Sequence, residues 1–377
     1  MKIALLTPTF SRYSGIDRVV ELQALSLSKK NTVVVFTLRG GLKPQGFSVV
    51  ELGMPKNLFW QRLYRLFFFL QRGKIATTAR MLCDFDLVIS HFYPMNLIAC
   101  ASKKKYGVRW RYHNHGVAPP GLFDSILQRL YVRFFQMLSN ASVRTCDEAV
   151  SISTYLANVL KEETGICSIV EYNPINTKRF HKKVNGARVR KQYHLGTSPV
   201  CLYVGRLSPH KGIHLLLQSY QLAKKKIPNL KLLIVGDGRY RKELEALVRT
   251  LQMGDRVLFT GNVQDVSKPL AAMDIFVLPA TWREGFGLSI AEAMTCEKPV
   301  IVTNIWALNT LIQDRVNGVL VEPKNVEHLA EAIHYMLSHP EFRKKIGKAG
   351  RRTAEERFSL ERMVRELESV YEEALYH

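Results

Sequence analysis

The sequence predicts an α/β protein built from two doubly wound, Rossmann-like domains that face each other across a cleft. Three observations carry that expectation. Short apolar runs alternate with longer helical patterns along the whole chain, most runs are continuous in Val, Ile and Leu, and the pattern breaks once, near residues 176–198. Continuous apolar runs mark strands covered on both faces, the condition of a parallel sheet between helical layers. At 377 residues the chain is long enough to bury two cores.

In the first half the runs fall at residues 2–8, 32–38, 47–52, 86–90, 108–113, 148–153 and 169–173. In the second they fall at 200–205, 230–235, 257–261, 275–278, 299–303 and 318–321. Helical stretches such as 240–252 and 326–337 separate them, so the order is βαβ throughout. The break is basic and polar and ends in Gly196-Thr197-Ser198-Pro199, after which a new unit starts at Val200. The expected domains are residues 1–180 and 181–357. A helical segment over 358–377, with apolar Leu360, Met363 and Leu367 at helical spacing, is expected to cross back to the first domain.

Hydrophobic residues make up 47% and charged residues 23%, which excludes a disordered chain, a fibre and a disulfide scaffold. Lys and Arg outnumber Asp and Glu by 54 to 32, a net charge of +22 spread over both halves. Such a field attracts nucleic acid, an anionic membrane face or phosphorylated substrates. The six cysteines (Cys83, Cys100, Cys146, Cys167, Cys201, Cys296) form no CxxC pair and no cluster with histidine at metal spacing. They read as reduced core residues, which points to a cytosolic location. MKIALLTPTF reads as a first strand rather than a leader, and no run reaches the ~20 apolar residues that span a bilayer.

Ligands of doubly wound sheets bind beyond the carboxyl ends of the strands, so the loops there hold the candidate chemistry. After the strand at 275–278, Thr281-Trp282-Arg283-Glu284-Gly285-Phe286-Gly287-Leu288 opens a helix that carries Glu292. Glycine-rich backbone and a helix N-terminus suit a diphosphate, and the two carboxylates suit sugar and ribose hydroxyls. A plain helix start with acidic residues has the same spacing. After the strand at 200–205, Arg206 and Lys211 are two cations placed to neutralise a diphosphate leaving group; a solvated basic loop would look alike. His113 and His115 end the strand at 108–113, and Gly15 offers an amide between the first strand and the first helix. Asp84-Phe85-Asp86 has the form of a metal-binding pair, but Asp86 opens a buried strand, so no metal is expected. Residues 58–70 mix ten apolar or aromatic positions with basic residues nearby (Arg62, Arg65, Arg72, Lys74, Arg80), and Arg129, Arg133, Phe134 and Phe135 form a second such stretch. These read either as core helices or as a surface on anionic lipid.

Together these segments resemble the retaining nucleotide-sugar glycosyltransferases of family 4, which have the two-Rossmann GT-B fold. Glu284 and Glu292 match the family's E-x7-E motif and Gly205-Arg206…Lys211-Gly212 its G-R-x4-K-G; Val235-Gly236-Asp237-Gly238 resembles its VGxG turn. Tyr172-Asn173-Pro174-Ile175-Asn176 resembles its N-G-V-D, and Ser151-Ile152-Ser153 its V-S strand end. The resemblance implies that Glu284 binds the donor sugar, with Gly285, Phe286, Gly287 and Leu288 beside it, while Glu292 holds the ribose. It implies that Arg206 and Lys211 hold the diphosphate, with Gly236 and Gly15 on the donor as well. His115 would be the functional histidine, His113 the alternative, and Ser153 and Asn173 acceptor-side candidates. It further implies front-face attack assisted by the leaving phosphate, with no metal and no other cofactor. The donor would be a GDP- or UDP-sugar of the mannosyl, glucosyl or N-acetylglucosaminyl type.

Two loops depart from the family pattern. Ser14 replaces the first of two glycines, and Trp306-Ala307 stand where the family has Gly-Gly, with Thr310 in place of a glutamate. The charge and the aromatic stretches add an anionic membrane surface and a glycan or lipid-linked acceptor, which places the enzyme peripherally on the cytoplasmic membrane face. Two other readings compete. A nucleotide-sugar epimerase of the same fold needs acid–base carboxylates in the first domain, where no convincing pair is found. A nucleic-acid-binding protein rests on the charge alone and lacks a recognition helix, zinc finger or aromatic RNA motif, so no nucleic-acid partner is expected.

Overall fold

A computed structural model describes residues 1–11, 15–42, 44–116, 125–282 and 284–366. The chain divides into two compact units, Met1–Tyr172, with which Val364 also counts, and Asn173–Met363. In the first, β1 (Lys2–Phe10), β2 (Thr32–Gly40), β3 (Ser48–Glu51), β4 (Leu87–Ser90), β5 (Arg109–Asn114), β6 (Glu148–Ser151) and β7 (Ile169–Val170) form one sheet in the order β3-β2-β1-β4-β5-β6-β7. In the second, β8 (Val200–Val204), β9 (Lys231–Val235), β10 (Val257–Gly261), β11 (Ile275–Leu278), β12 (Val300–Thr303) and β13 (Val319–Val321) follow the order β10-β9-β8-β11-β12-β13. Neighbouring strands are parallel throughout; Leu5 pairs with Ile89 and Val204 with Val235. All thirteen predicted strands are present, their ends moved by a few residues.

Both sheets are doubly wound. Each chain path runs outward from its first strand and then returns to that strand's other side, so the order reverses between β1 and β4 and between β8 and β11. Connections on either side of such a point leave towards opposite faces and open a crevice at the strands' carboxyl ends. The cores beneath are largely apolar, and the polar ends of their large aromatic residues are hydrogen-bonded. Leu6, Val88 and Trp110 are enclosed in the first unit, with the Trp110 indole donating to Ser90 Oγ at 2.9 Å. Tyr203, Phe276 and Tyr220 are enclosed in the second, and the Tyr220 hydroxyl donates to the Leu230 carbonyl at 2.6 Å.

Four features differ from the sequence reading. The units divide after Tyr172, ahead of the basic stretch. Asn173 and Ile175 are buried, and the Ile175 amide donates to the Phe358 carbonyl at 2.7 Å, which ties this segment to the second unit. The apolar run at 58–70 is a helix (Leu58–Leu66) capped by Asn57, whose side chain accepts from the Phe59 amide, followed by a tight turn (Phe68–Leu70). Only part of it is core: Phe68 is enclosed, whereas Phe59, Trp60, Phe67 and Leu70 face solvent. Cys83 and Cys167 are exposed, because they lie in the turns before β4 and β7 rather than on buried faces. The helix Pro340–Phe358 runs up to Phe358, Ser359 breaks it, and helix resumes over 360–366; residues 367–377 lie outside the described residues.

Candidate active site

In the second unit the loops beyond β8, β9 and β11 are bound to one another through their backbones. The Gly205 amide donates to Val235, and the Leu207 amide to Asp237, both at 3.0 Å. From the third loop, Thr281 donates to the His210 carbonyl through its amide at 2.9 Å and its hydroxyl at 3.2 Å. The Tyr203 hydroxyl, fixed in the core, donates to the Arg206 carbonyl at 3.0 Å. Such close crossing demands glycine. At Gly236, with φ +128°, a Cβ would collide with the Gly205 carbonyl oxygen.

This stitching brings together two residues 73 positions apart: the Lys211 ammonium bonds the Glu284 carboxylate, and both side chains are largely buried. Burial, with Arg206 nearby, pushes the Lys211 ammonium down to about 8, while the carboxylate against it favours the charged form. Burial and three neighbouring cations, Lys211, Arg206 and Arg239, hold His210 at about 4. Glu284 is followed by Gly287, whose φ of +79° turns the chain into the helix Leu288–Thr295. Glu292 is the fifth residue of that helix and is buried. Arg206 is exposed, and Phe286 is enclosed with its ring edge-on to Phe358 at 5.2 Å. An exposed cation, a paired ammonium–carboxylate and a helix N-terminus thus sit at the carboxyl end of β8 and β11, a setting that receives an anion and hydroxyl groups. The residue in the loop after β12, Trp306, is half exposed with φ +29°, a backbone state that glycine adopts more readily.

In the first unit Gly15 begins the helix Gly15–Leu27, beyond β1. The Ser11 amide and hydroxyl both donate to the buried Asp17 carboxylate, at 2.8 and 2.9 Å, which fixes that helix start; Ser14 lies outside the described residues. His113 is on β5 and His115 just beyond it, and both are buried. Gln23 Nε2 donates to His113 Nδ1 at 3.3 Å. Ser153 is fully buried and accepts from the Leu156 amide, so it caps the helix Thr154–Thr164. Asn173, an expected acceptor-side group, counts with the second unit.

The sequence reading missed His91, at the end of β4, which shares a hydrogen bond with His115 through Nδ1 and Nε2 at 3.0 Å. Its ring also lies 4.9 Å from that of His113. The signal was the same one that marked His113 and His115, a histidine at a strand end. Burial drives His91 and His113 well below the ordinary imidazole value and His115 to about 4, so all three rings are neutral at pH 7.

Comparison with known proteins matches the family described as Glycosyltransferase Family 4 to residues 13–179 and that described as Glycosyl transferases group 1 to residues 187–353. An uncharacterized glycosyltransferase of Methanocaldococcus jannaschii is 27% identical over 290 residues, covering 76% of this chain and 75% of its own. A GDP-mannose-dependent alpha-(1-6)-phosphatidylinositol monomannoside mannosyltransferase of Mycobacterium tuberculosis is 29% identical over 216 residues, covering 54% of this chain and 56% of its own. The chain therefore spans little more than half the length of that relative. Among solved structures, Anabaena HepE in complex with UDP-glucose has a TM-score of 0.82 at 21% identity, over 99% of this chain and 100% of that chain. At that identity the likeness concerns the fold.

Proposed function

The chain belongs to glycosyltransferase family 4 and has the GT-B fold, and on that premise we propose that it is a retaining hexosyltransferase. It moves a hexose-type sugar from a nucleoside diphosphate sugar to a lipid-linked or other membrane-associated glycan acceptor. The observation that carries this reading is the contact of Lys211 with Glu284 at the carboxyl ends of β8 and β11, one turn ahead of the helix Leu288–Thr295. There the Arg206 and Lys211 charges offset the diphosphate as it leaves with its new negative charge. The backbone from Gly285 to Leu288 approaches the donor, Glu284 accepts from sugar hydroxyls, and Glu292 accepts from the ribose diol. The crossing at Gly236 lets the main chain lie close to the nucleotide. In the first unit, Gly15 supplies an anion-binding amide. His115 acts as a neutral hydrogen-bonding group, with His113 and Ser153 on the acceptor side. No metal is assigned to the diphosphate, whose charge the two side-chain cations answer.

Two facts support a nucleoside diphosphate sugar as donor: the mycobacterial relative is named as GDP-mannose-dependent, and the Anabaena protein was solved with UDP-glucose. A membrane acceptor is supported by exposed Phe59, Trp60, Leu70, Ile126, Leu127 and Met137 in the first unit, with exposed Arg62, Arg72, Arg129 and Arg133 on the same elements or next to them. Among the described residues no helix is long and apolar enough to cross a membrane. The net positive charge and these exposed apolar side chains favour a peripheral position, on the cytoplasmic face.

The test is thermal stability against UDP, GDP, ADP and their common sugars. At a concentration about 100 times Kd, the cognate nucleotide sugar should raise the midpoint by roughly 5 °C or more. Glu292→Ala should abolish that rise. A chain that responds to none of the nucleotides would overturn the assignment.

A further inference from the structure

Arg65 stands in the last turn of the helix Leu58–Leu66 as a cation without an ion pair among the described residues. Its side chain is half-buried, and its Nε is shut off from solvent without a hydrogen bond. Burial lowers its pKa, and the ionisable groups that act on it are Tyr131, Asp17 and Arg39. The one carboxylate among these is already engaged: Asp17 Oδ1 accepts from the Thr9 hydroxyl at 3.2 Å, and Oδ2 from the Ser11 amide and hydroxyl. Arg39 adds a like charge. It is exposed near the end of β2, where the Thr37 hydroxyl accepts from its amide at 3.3 Å and donates to its carbonyl at 3.2 Å. The Tyr93 hydroxyl donates to the Leu66 carbonyl at 3.0 Å and so fixes the helix end that carries Arg65. Tyr131, half-buried on the helix Ile126–Val143, has a phenol that burial keeps protonated and that interacts with both Arg65 and Arg62, one helical turn apart. None of these elements carries the donor loops or the histidines of the first unit.

Two neighbouring guanidinium groups, one of them deprived of water at Nε, form an arrangement that a bound anion stabilises. The Nε–H and one Nη–H of a guanidinium present a flat edge that takes two oxygens of a single oxyanion. A carboxylate would fill that edge alone. A phosphate brings a further oxygen and up to a second charge, which match Arg39 and the Tyr131 hydroxyl. Tyr131 also lies at helical spacing from Leu127 and Phe134, both exposed, with exposed Leu130 beside it. An anion held there is next to side chains that receive a hydrocarbon chain. We propose that Arg65, Arg39 and Tyr131 bind the phosphate of the acceptor, which is therefore a lipid phosphate or diphosphate whose chain runs along Leu127, Leu130 and Phe134. The inference deepens the lipid-linked acceptor reading and rests on it.

The test is calorimetric titration of the full-length chain with octyl phosphate, below its micellar concentration, and with inorganic phosphate. Octyl phosphate should bind at least about tenfold more tightly, because its chain leaves water as well. Arg65→Gln should weaken it by at least about tenfold and leave co-sedimentation with phosphatidylglycerol vesicles and stabilisation by nucleotide sugar unchanged. Should Arg65→Gln fail to fold, Arg39→Gln, at an exposed position, gives the same reading with a several-fold loss. Lys211→Ala, which disables the proposed donor diphosphate site, should leave octyl phosphate affinity unaltered. Inorganic phosphate bound as tightly as octyl phosphate would mean a free-phosphate site, and a parallel loss of vesicle binding in Arg65→Gln would mean a bilayer headgroup contact. Either result overturns the proposal, as does an octyl phosphate affinity indifferent to Arg65 and Arg39. Stabilisation by a nucleotide sugar in a chain that binds no octyl phosphate would overturn this site alone. Failure of every nucleotide, with octyl phosphate still bound through Arg65, would overturn the transferase reading while supporting the phosphate site.

Discussion

Lys211 is held between two opposed influences, burial that disfavours its charge and the Glu284 carboxylate that favours it. The outcome is an ammonium whose pKa is lowered from 10.5 to about 8, and this gives two pH effects of opposite sign. If Lys211 holds the donor diphosphate as proposed, binding uses the protonated form, so affinity should fall as pH rises through about 8, approaching tenfold per pH unit beyond it. Stability moves the other way. The unfolded chain holds this proton more tightly, so the group's contribution to stability grows from about pH 8 to 10.5. Calorimetric titration of the donor across that range checks the first effect, and Lys211→Arg, charged at every accessible pH, should flatten it. An affinity that ignores pH in the native chain would remove Lys211 from the diphosphate. The identities of Lys211, Glu284 and Glu292 were legible because motif spacing survives in a linear sequence. The direct bond between the first two was not, since it depends on Thr281 binding the His210 carbonyl 71 residues away.

Apolar pattern marks helices and strands well but assigns the faces of short, uniformly apolar segments poorly. The helix Leu58–Leu66 and the turn after it show why: Phe68 is enclosed while Trp60 and Leu70 are 58% and 60% exposed, all within eleven residues. The second helix, Ile126–Val143, reaches the same surface, for Phe69 meets Phe134 edge-on at 5.9 Å. Ile126 and Leu127 stand out at its start, 71% and 78% exposed. Side chains left in water on this scale gain about 1.5–3 kcal/mol each on entering an apolar phase. Replacing Trp60 and Leu127 together, as Trp60→Ala with Leu127→Ser, should therefore weaken co-sedimentation with anionic vesicles by more than about tenfold and leave nucleotide-induced stabilisation intact. Equal sedimentation of variant and native protein, or none by either at physiological salt, would detach this surface from the membrane.

At the scale of the whole molecule, the segment that follows the helix Pro340–Phe358 completes the second unit, which runs to Met363. The Phe358 ring packs on Phe286 and its carbonyl receives the Ile175 amide, so the loop that leads into the helix Leu288–Thr295 and the unit's first residues share one support. Truncation after Arg357 removes that support and should cost roughly 3–5 kcal/mol, lowering the second unit's calorimetric transition by about 10 °C. Truncation after Met363 should spare it, and equal transitions in the melts of the two truncated chains would show that Phe358 carries no such role.

The sequence by itself determined the α/β class, the thirteen strands, the doubled architecture and the loops beyond β8 and β11 that carry the motif residues, because continuous apolar runs, glycines and fixed spacings are local properties of a chain. Tertiary structure alone decided where one unit ends, which face of Leu58–Leu66 is dry, and that His91 stands with His113 and His115. Each of these depends on which strands become neighbours. Strand order is set by how helices cover both faces of a sheet, and no local pattern in the chain encodes it.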